Sequence, residues 1–208
     1  MVLDSDVLPR IRPMRLRLVK EPFDNPDYIF ELKQDGFRAT AYIDEGECRL
    51  VARNLKSLPF KSLGASLAAV AVPNAILDGE IIVLDNKGVS QFKALLTAKG
   101  RDMALFYAFD LIWLNGTDYR RTPLVERKVQ LSEFVRRSRC PRLLYAQHID
   151  GAGRQFFREI CAKDLEGIVG KRKNGLYRDD RSDWVKIKNR KYSQADGRHD
   201  LLTQRRSN

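Results

Sequence analysis

Lys33 is the residue whose neighbours along the chain best suit it to covalent chemistry. It lies in Glu31-Leu32-Lys33-Gln34-Asp35-Gly36-Phe37-Arg38, a KxDGxR string at the end of a predicted strand. A lysine amine attacks only when deprotonated, and a nearby cation or a dry pocket depresses its pKa for that purpose. Arg38 supplies such a cation, and Gly36 permits a tight turn and close approach of a ligand. Taken alone, the same octapeptide also reads as a strand entering a turn at Asp35-Gly36, flanked by solvated charges.

Other residue types point the same way. Glu80 and Glu166 are carboxylates in otherwise apolar segments, where an unpaired charge is expensive; each either pairs with a nearby lysine or arginine or serves a ligand. Lys186 and Lys188 alternate with apolar residues and therefore share one face of a strand. That face is either a phosphate clamp or the solvated side of an edge strand. Phe109 lies in an apolar strand, where core packing is the default, although its π surface also suits a flat ring.

The elements that must position these residues are mostly strands. Residues 28–32, 37–43 and 48–52 are rich in β-branched and aromatic types, with Asp44-Glu45-Gly46-Glu47 as a hairpin turn between the last two. Residues 75–84 and 105–114 predict two more strands, ended by Asp85-Asn86-Lys87-Gly88 and Asn115-Gly116. Residues 167–171 and 184–188 complete the set. Thr122 as N-cap with Pro123 behind it starts a helix reaching about Ser138. Further helices are expected over residues 154–163 and, shorter, 90–98. The expectation is an α+β fold with largely antiparallel sheets flanked by helices. Residues 1–188 form one domain on this reading, and residues 189–208 a basic, polar tail or severed linker.

Composition narrows the function classes. The 208 residues carry 38 Lys+Arg against 27 Asp+Glu, a net charge of +11, which favours a polyanionic partner. The excess is concentrated in two segments: residues 120–142 hold 8 basic and 2 acidic residues, and residues 171–191 hold 9 and 3. Both are candidates for tracking a duplex backbone, and a solvated face explains the first equally well. Three cysteines without a CxxC and two histidines argue against a disulfide scaffold or a zinc site, and fit a reducing compartment. Apolar runs such as residues 67–72 are far below the roughly 20 residues of a membrane span. No membrane and a cytoplasmic location are expected.

The ordered set of motifs is more specific than any one of them. After Lys33 come Arg53-Asn54, Leu77-Asp78-Gly79-Glu80, Phe106-Tyr107-Ala108-Phe109-Asp110, Glu166-Gly167-Ile168-Val169-Gly170-Lys171 and Trp184-Val185-Lys186-Ile187-Lys188. In order and spacing they resemble the covalent nucleotidyltransferases: ATP-dependent DNA ligases, RNA ligases and mRNA capping enzymes. Ile11-Arg12-Pro13-Met14 and Glu21-Pro22-Phe23-Asp24 look most like bacterial ATP-dependent DNA ligases, including the ligase domain of multifunctional end-joining enzymes.

The resemblance implies an ATP-grasp-like adenylation domain. Lys33 would attack the α-phosphorus of ATP and carry AMP to a 5'-phosphate of nicked or broken duplex DNA, with a 3'-hydroxyl then displacing AMP. It implies that Lys186 and Lys188 clamp the α-phosphate. Glu80 would meet the ribose or a metal, and Glu166 would help hold magnesium (Mg2+). Phe109 would stack on adenine, and Glu31 would accept from the adenine amino group. Arg53 would contact the 5'-phosphate of the nick, and Arg38 the ribose or a phosphate. Such ligases usually continue into an OB-fold domain, and the 20 residues after Lys188 are too few for one; the reading leaves open an isolated adenylation domain, a half-enzyme that recruits a separate OB-fold partner, and one that works slowly alone on pre-adenylated ends. RNA ligase or capping-type chemistry, and a DNA-binding remnant without turnover, stay open on this reading.

Overall fold

In a computed structural model of the protein, residues 8–180 and 183–195 are described. The strands are β1 (Arg17–Leu18), β2 (Tyr28–Leu32), β3 (Phe37–Asp44), β4 (Glu47–Ala52), β5 (Asn74–Ile82), β6 (Leu105–Leu114), β7 (Thr117–Asp118), β8 (Leu143–Tyr145), β9 (His148–Asp150), β10 (Gly167–Arg172) and β11 (Trp184–Lys188). The helices are α1 (Lys61–Ala68), α2 (Ala98–Asp102), α3 (Leu124–Ser138) and α4 (Gly153–Ala162), with 3-10 turns at Phe92–Leu96 and Ser193–Ala195. Among the described residues no helix is long and apolar enough to cross a membrane.

Two sheets form the body. One has the order β1-β11-β10-β2-β9, the other β4-β3-β5-β6-β7 with β8 also on β6. Pairing is antiparallel, as hairpin-style connections demand, except that β1 joins β11 and β8 joins β6 in parallel. The turn after β3 has Glu45 at φ 47° and Gly46 at φ 80°, the left-handed pair that a two-residue hairpin needs.

Helices cover the outer face of each sheet. Phe106, Ala108 and Leu111 of β6 join Leu63 and Leu67 of α1 and Leu131 and Phe134 of α3 in the largest core. Phe30, Ile168 and Ile187 of the other sheet bury Ile160 of α4, with Phe156 and Phe157 against them. Between the sheets a third cluster, Tyr42, Ile76, Ile112, Tyr177 and Trp184, takes in Ile11 and Met14 from the N-terminal segment. The two sheets diverge from that cluster, leaving a cleft.

Several expectations need correction. α3 starts at Leu124 with Pro123 in the capping position and no side-chain cap, so Thr122 does not cap it. Instead the Thr122 carbonyl accepts from buried Arg127 at 2.6 Å. The single helix expected over residues 90–98 is two pieces, because Thr97 is extended and its hydroxyl accepts from Gly100 N–H at 3.0 Å, opening α2. Residues 189–195, within the expected tail, are joined to the body. Asn189 N–H donates to the Glu166 carbonyl at 2.9 Å, and Tyr192 is 6% exposed with its hydroxyl donating to Asp35 at 3.3 Å. Residues 196–208 lie outside the described residues.

Candidate active site

The cleft has a volume of about 360 Å³ and is lined from both sheets. β2 and the turn after it contribute Glu31, Lys33 and Gly36; β3, β5 and β6 contribute Arg38, Glu80, Tyr107 and Phe109; β10 and β11 contribute Lys171, Trp184 and Lys186; Arg53 closes one end. Of the residues singled out in the sequence, Glu31, Lys33, Arg38, Arg53, Glu80, Phe109 and Lys186 therefore meet in one cavity. Glu166 reaches it through Lys33. Lys188 is exposed at the end of β11 and is not among the lining residues.

Strand register explains the convergence. Arg38 pairs with Glu80, and Glu80 with Tyr107, so three adjacent strands present these side chains in a row on the cleft face. The register shifts between Asp78 and Gly79, leaving Phe109 as the extra residue of a bulge in β6. Two residues on from Tyr107, Phe109 shares its face and turns its ring into the cleft. There it meets Trp184 edge-on at 5.7 Å, with the Arg38 guanidinium 5.5 Å from its centre. Gly36 is required by approach: a Cβ there would stand 2.2 Å from the Ile81 carbonyl oxygen.

Lys33 Nζ lies 2.7 Å from each carboxylate oxygen of Glu166. The Lys33 N–H also donates to the Gly167 carbonyl at 2.9 Å, so backbone and side chain both tie the lysine to the start of β10. Burial, then the like charges of Lys188 and Lys33, hold the Lys186 ammonium below the usual lysine range. Lys33, Lys186, Lys188 and Arg53 thus gather positive charge around one glutamate, a field suited to a polyphosphate.

The other side chains are firmly held. Arg38 donates through Nε and Nη2 to the two oxygens of Asp78 at 3.1 and 2.7 Å, and through Nη1 to the Met14 carbonyl. Tyr177 donates to the same Asp78 at 2.7 Å. Burial lowers the affinity of Arg38 for its proton, but the contact with Asp78 overrides that and raises its pKa. Glu31 is 2% exposed, with Lys128 on one oxygen and Lys171 on the other, both at 2.7 Å.

For a divalent cation, Glu80 and Glu166 are the candidate carboxylates. Among the described residues no group of three or more His, Cys, Asp or Glu could hold a metal alone.

Sequence reasoning did not find Lys128, Asp78, Tyr177 or Trp184 as parts of the site. Asp78 and Trp184 stand in the ordered motifs without an assigned role, and Lys128 left a different local signal: together with Arg127 it is a basic pair on the buried side of an amphipathic helix. The first basic segment is largely structural. Arg127 makes a fully buried bidentate pair with Asp110, Arg136 and Arg137 reach Glu133, and Arg142 donates to the Ala104 and Asp102 carbonyls.

A second basic feature adjoins the cleft. Arg53 also lines a depression with Arg12 and Arg15, and Arg12 lines a larger one with Arg10, Arg120, Arg121 and Arg178. The depressions form an arginine-rich trough leading away from Lys33, interrupted by Asp118, Asp179 and Asp180.

The chain is similar to known DNA ligases. The chain is 34% identical over 186 residues to the multifunctional non-homologous end joining protein LigD of Pseudomonas aeruginosa, covering 86% of this chain and 22% of that protein. It is 30% identical over 192 residues to the prophage-derived DNA ligase-like protein LigB of Bacillus subtilis, covering 89% and 70%. A solved structure of mycobacterial DNA ligase D complexed with ATP and MES superposes with a TM-score of 0.75 at 29% identity, covering 85% of this chain and 59% of that one. The chain thus spans about a fifth of the first relative and over half of the solved ligase structure. A family model described as ATP dependent DNA ligase domain matches residues 15–188. The chain, with Lys33 at the centre of its cleft, belongs to the ATP-dependent DNA ligase domain family.

Proposed function

We propose that this domain transfers AMP from ATP to Lys33, from Lys33 to the 5'-phosphate of a nick or break in duplex DNA, and then seals the strand. The observation that carries the reading is the convergence of Lys33, Arg38, Arg53, Glu80, Phe109 and Lys186 in one cleft, with the Lys33 amine held by Glu166.

Chemically, Lys33 must lose a proton before its lone pair can attack the α-phosphorus. Glu166 is the acceptor in place, 2.7 Å away. The N–P bond forms as the bond to pyrophosphate breaks, storing the anhydride energy as a phosphoramidate until a DNA end arrives. Lys186, with Lys188 adding to its field, stabilises charge on the phosphate in transfer. Phe109 offers a flat face for adenine, and Arg38 and Glu80 flank the ribose. Arg53, at the mouth of the arginine trough, suits the 5'-phosphate of the nick. Glu80 and Glu166 would hold magnesium, which when bound neutralises phosphate oxygens. An OB-fold module, in a separate protein or domain, completes this reading for efficient sealing.

The test is incubation of the purified protein with α-labelled ATP and magnesium, read by intact mass, beside Lys33→Ala. A Lys33-dependent AMP adduct that discharges onto nicked DNA is expected. No adduct, no sealing of pre-adenylated nicked DNA and yet salt-sensitive DNA binding would overturn the reading in favour of a binding remnant.

A further inference from the structure

Beneath the cleft lies a charge arrangement that the transfer chemistry does not use. Lys128, on α3, is 2% exposed and lies 97 residues from Glu31 in the chain. Its ammonium donates to Glu31 Oε1 and to the Ala146 carbonyl, each at 2.7 Å, and sits 4.2 Å from the centre of the Tyr145 ring. Lys171 takes the other Glu31 oxygen at 2.7 Å, donates to the Phe109 carbonyl at 3.2 Å, and lies between the rings of Phe109 and Trp184 at 4.4 and 4.1 Å. Burial of two ammonium groups around one carboxylate is a poor device for stability, since apolar residues of similar size usually serve as well or better. What the arrangement does accomplish is control of Glu31. With a cation on each oxygen the carboxylate cannot turn, and an ionised carboxylate has only acceptors to offer. Glu31 also lines the cleft.

We infer that Lys128 is a positioning residue that sets the base preference of the nucleotide cleft. By pinning Glu31 as an acceptor, it makes the cleft select a purine with an exocyclic amino group at position 6 over one with a carbonyl there. An amino group donates to Glu31, whereas a carbonyl sets acceptor against acceptor and leaves a buried polar group unpaired, the kind of mismatch that discriminates strongly. Lys171 fixes the opposite side and couples Glu31 to the Phe109 platform. Without Lys128, one oxygen is released to rotate, and the acceptor is no longer held toward the base. The inference rests on the nucleotide reading of the cleft.

The experiment compares rates of Lys33-adduct formation with ATP and with ITP, which carries a carbonyl in place of the 6-amino group. It uses the wild type, Lys128→Met, Glu31→Gln and the double variant, with thermal unfolding of each. In the wild type ATP is expected to exceed ITP at least tenfold in kcat/KM. Lys128→Met should lower that ratio at least tenfold, and in the Glu31→Gln background it should lower it no further, because Lys128 acts through Glu31. Equal use of ATP and ITP by the wild type overturns the inference whatever the variants do, as does an unchanged ratio in folded Lys128→Met. An adduct with neither nucleotide in the wild type overturns the nucleotide reading itself, and the inference with it.

Discussion

Glu166 grips the Lys33 ammonium with both carboxylate oxygens, each 2.7 Å from Nζ, although 133 residues separate the two in the chain. The contact is made possible by β2 and β10 lying side by side, with Ile168 opposite Leu32 and Lys33 N–H bonded to the Gly167 carbonyl. The lysine and its partner carboxylate are thus fixed by the same ladder of backbone bonds.

Glu166→Gln keeps the shape of that contact but removes the acceptor. The rate of AMP adduct formation should fall about 100-fold, a typical loss for a positioned acid–base group, with little change in Tm. Intact-mass time courses at saturating ATP measure it; an unchanged rate would remove Glu166 from proton transfer.

Arg127 and Asp110 are each fully buried and joined by two bonds of 2.7 Å. Arg127→Met strands a buried carboxylate and should cost about 3–5 kcal/mol, measured by urea unfolding. Arg136→Ala, at a pair exposed to water, should leave the urea midpoint unchanged.

The arginine trough makes a salt-dependence prediction. Each arginine removed from a DNA phosphate should reduce the slope of log K against log salt by about 0.9, so Arg12→Ala with Arg53→Ala should flatten it by roughly 2. Anisotropy titrations on a labelled nicked duplex at several salt concentrations provide the slopes. An unaltered slope would place the DNA elsewhere.

His148 is half-buried beside Tyr145, and burial, with Lys128 adding to it, holds its pKa below the ordinary 6.5. The unfolded chain therefore binds the proton more readily than the folded one. His148 contributes stability above the unfolded value, and that contribution is lost as pH falls below it toward the folded pKa. Urea unfolding of wild type and His148→Gln across pH 8 to 5 isolates the effect: the wild type should lose more stability than the variant over that window. Parallel curves would contradict it.

Much of the positioning framework was legible from local pattern alone. The bounds of β2, β6 and β11 follow from runs of β-branched and aromatic residues, and the turn at Glu45-Gly46 from its residue types. α1 was not legible: with Gly64 and two serines in eight residues it has weak propensity, and it forms because Leu63 and Leu67 are buried against β4 and its neighbours. Strands of two or three residues such as β1, β7, β8 and β9 carry too short a pattern to register and exist only where a neighbouring strand supplies bonds.

The same division runs through the site. The sequence by itself singled out Lys33, Arg38, Glu80, Glu166 and Lys186 as candidates through the order and spacing of their motifs, and left open whether each serves a ligand or only pairs with a neighbouring charge. Tertiary structure decided which charges meet. The side chain of Glu31 is clamped by Lys128 and Lys171, Phe109 meets Trp184 edge-on from the facing sheet, and most of the first basic segment is engaged in structural pairs. These outcomes depend on strand register and helix packing between residues tens of positions apart, which periodicity in a short window does not encode.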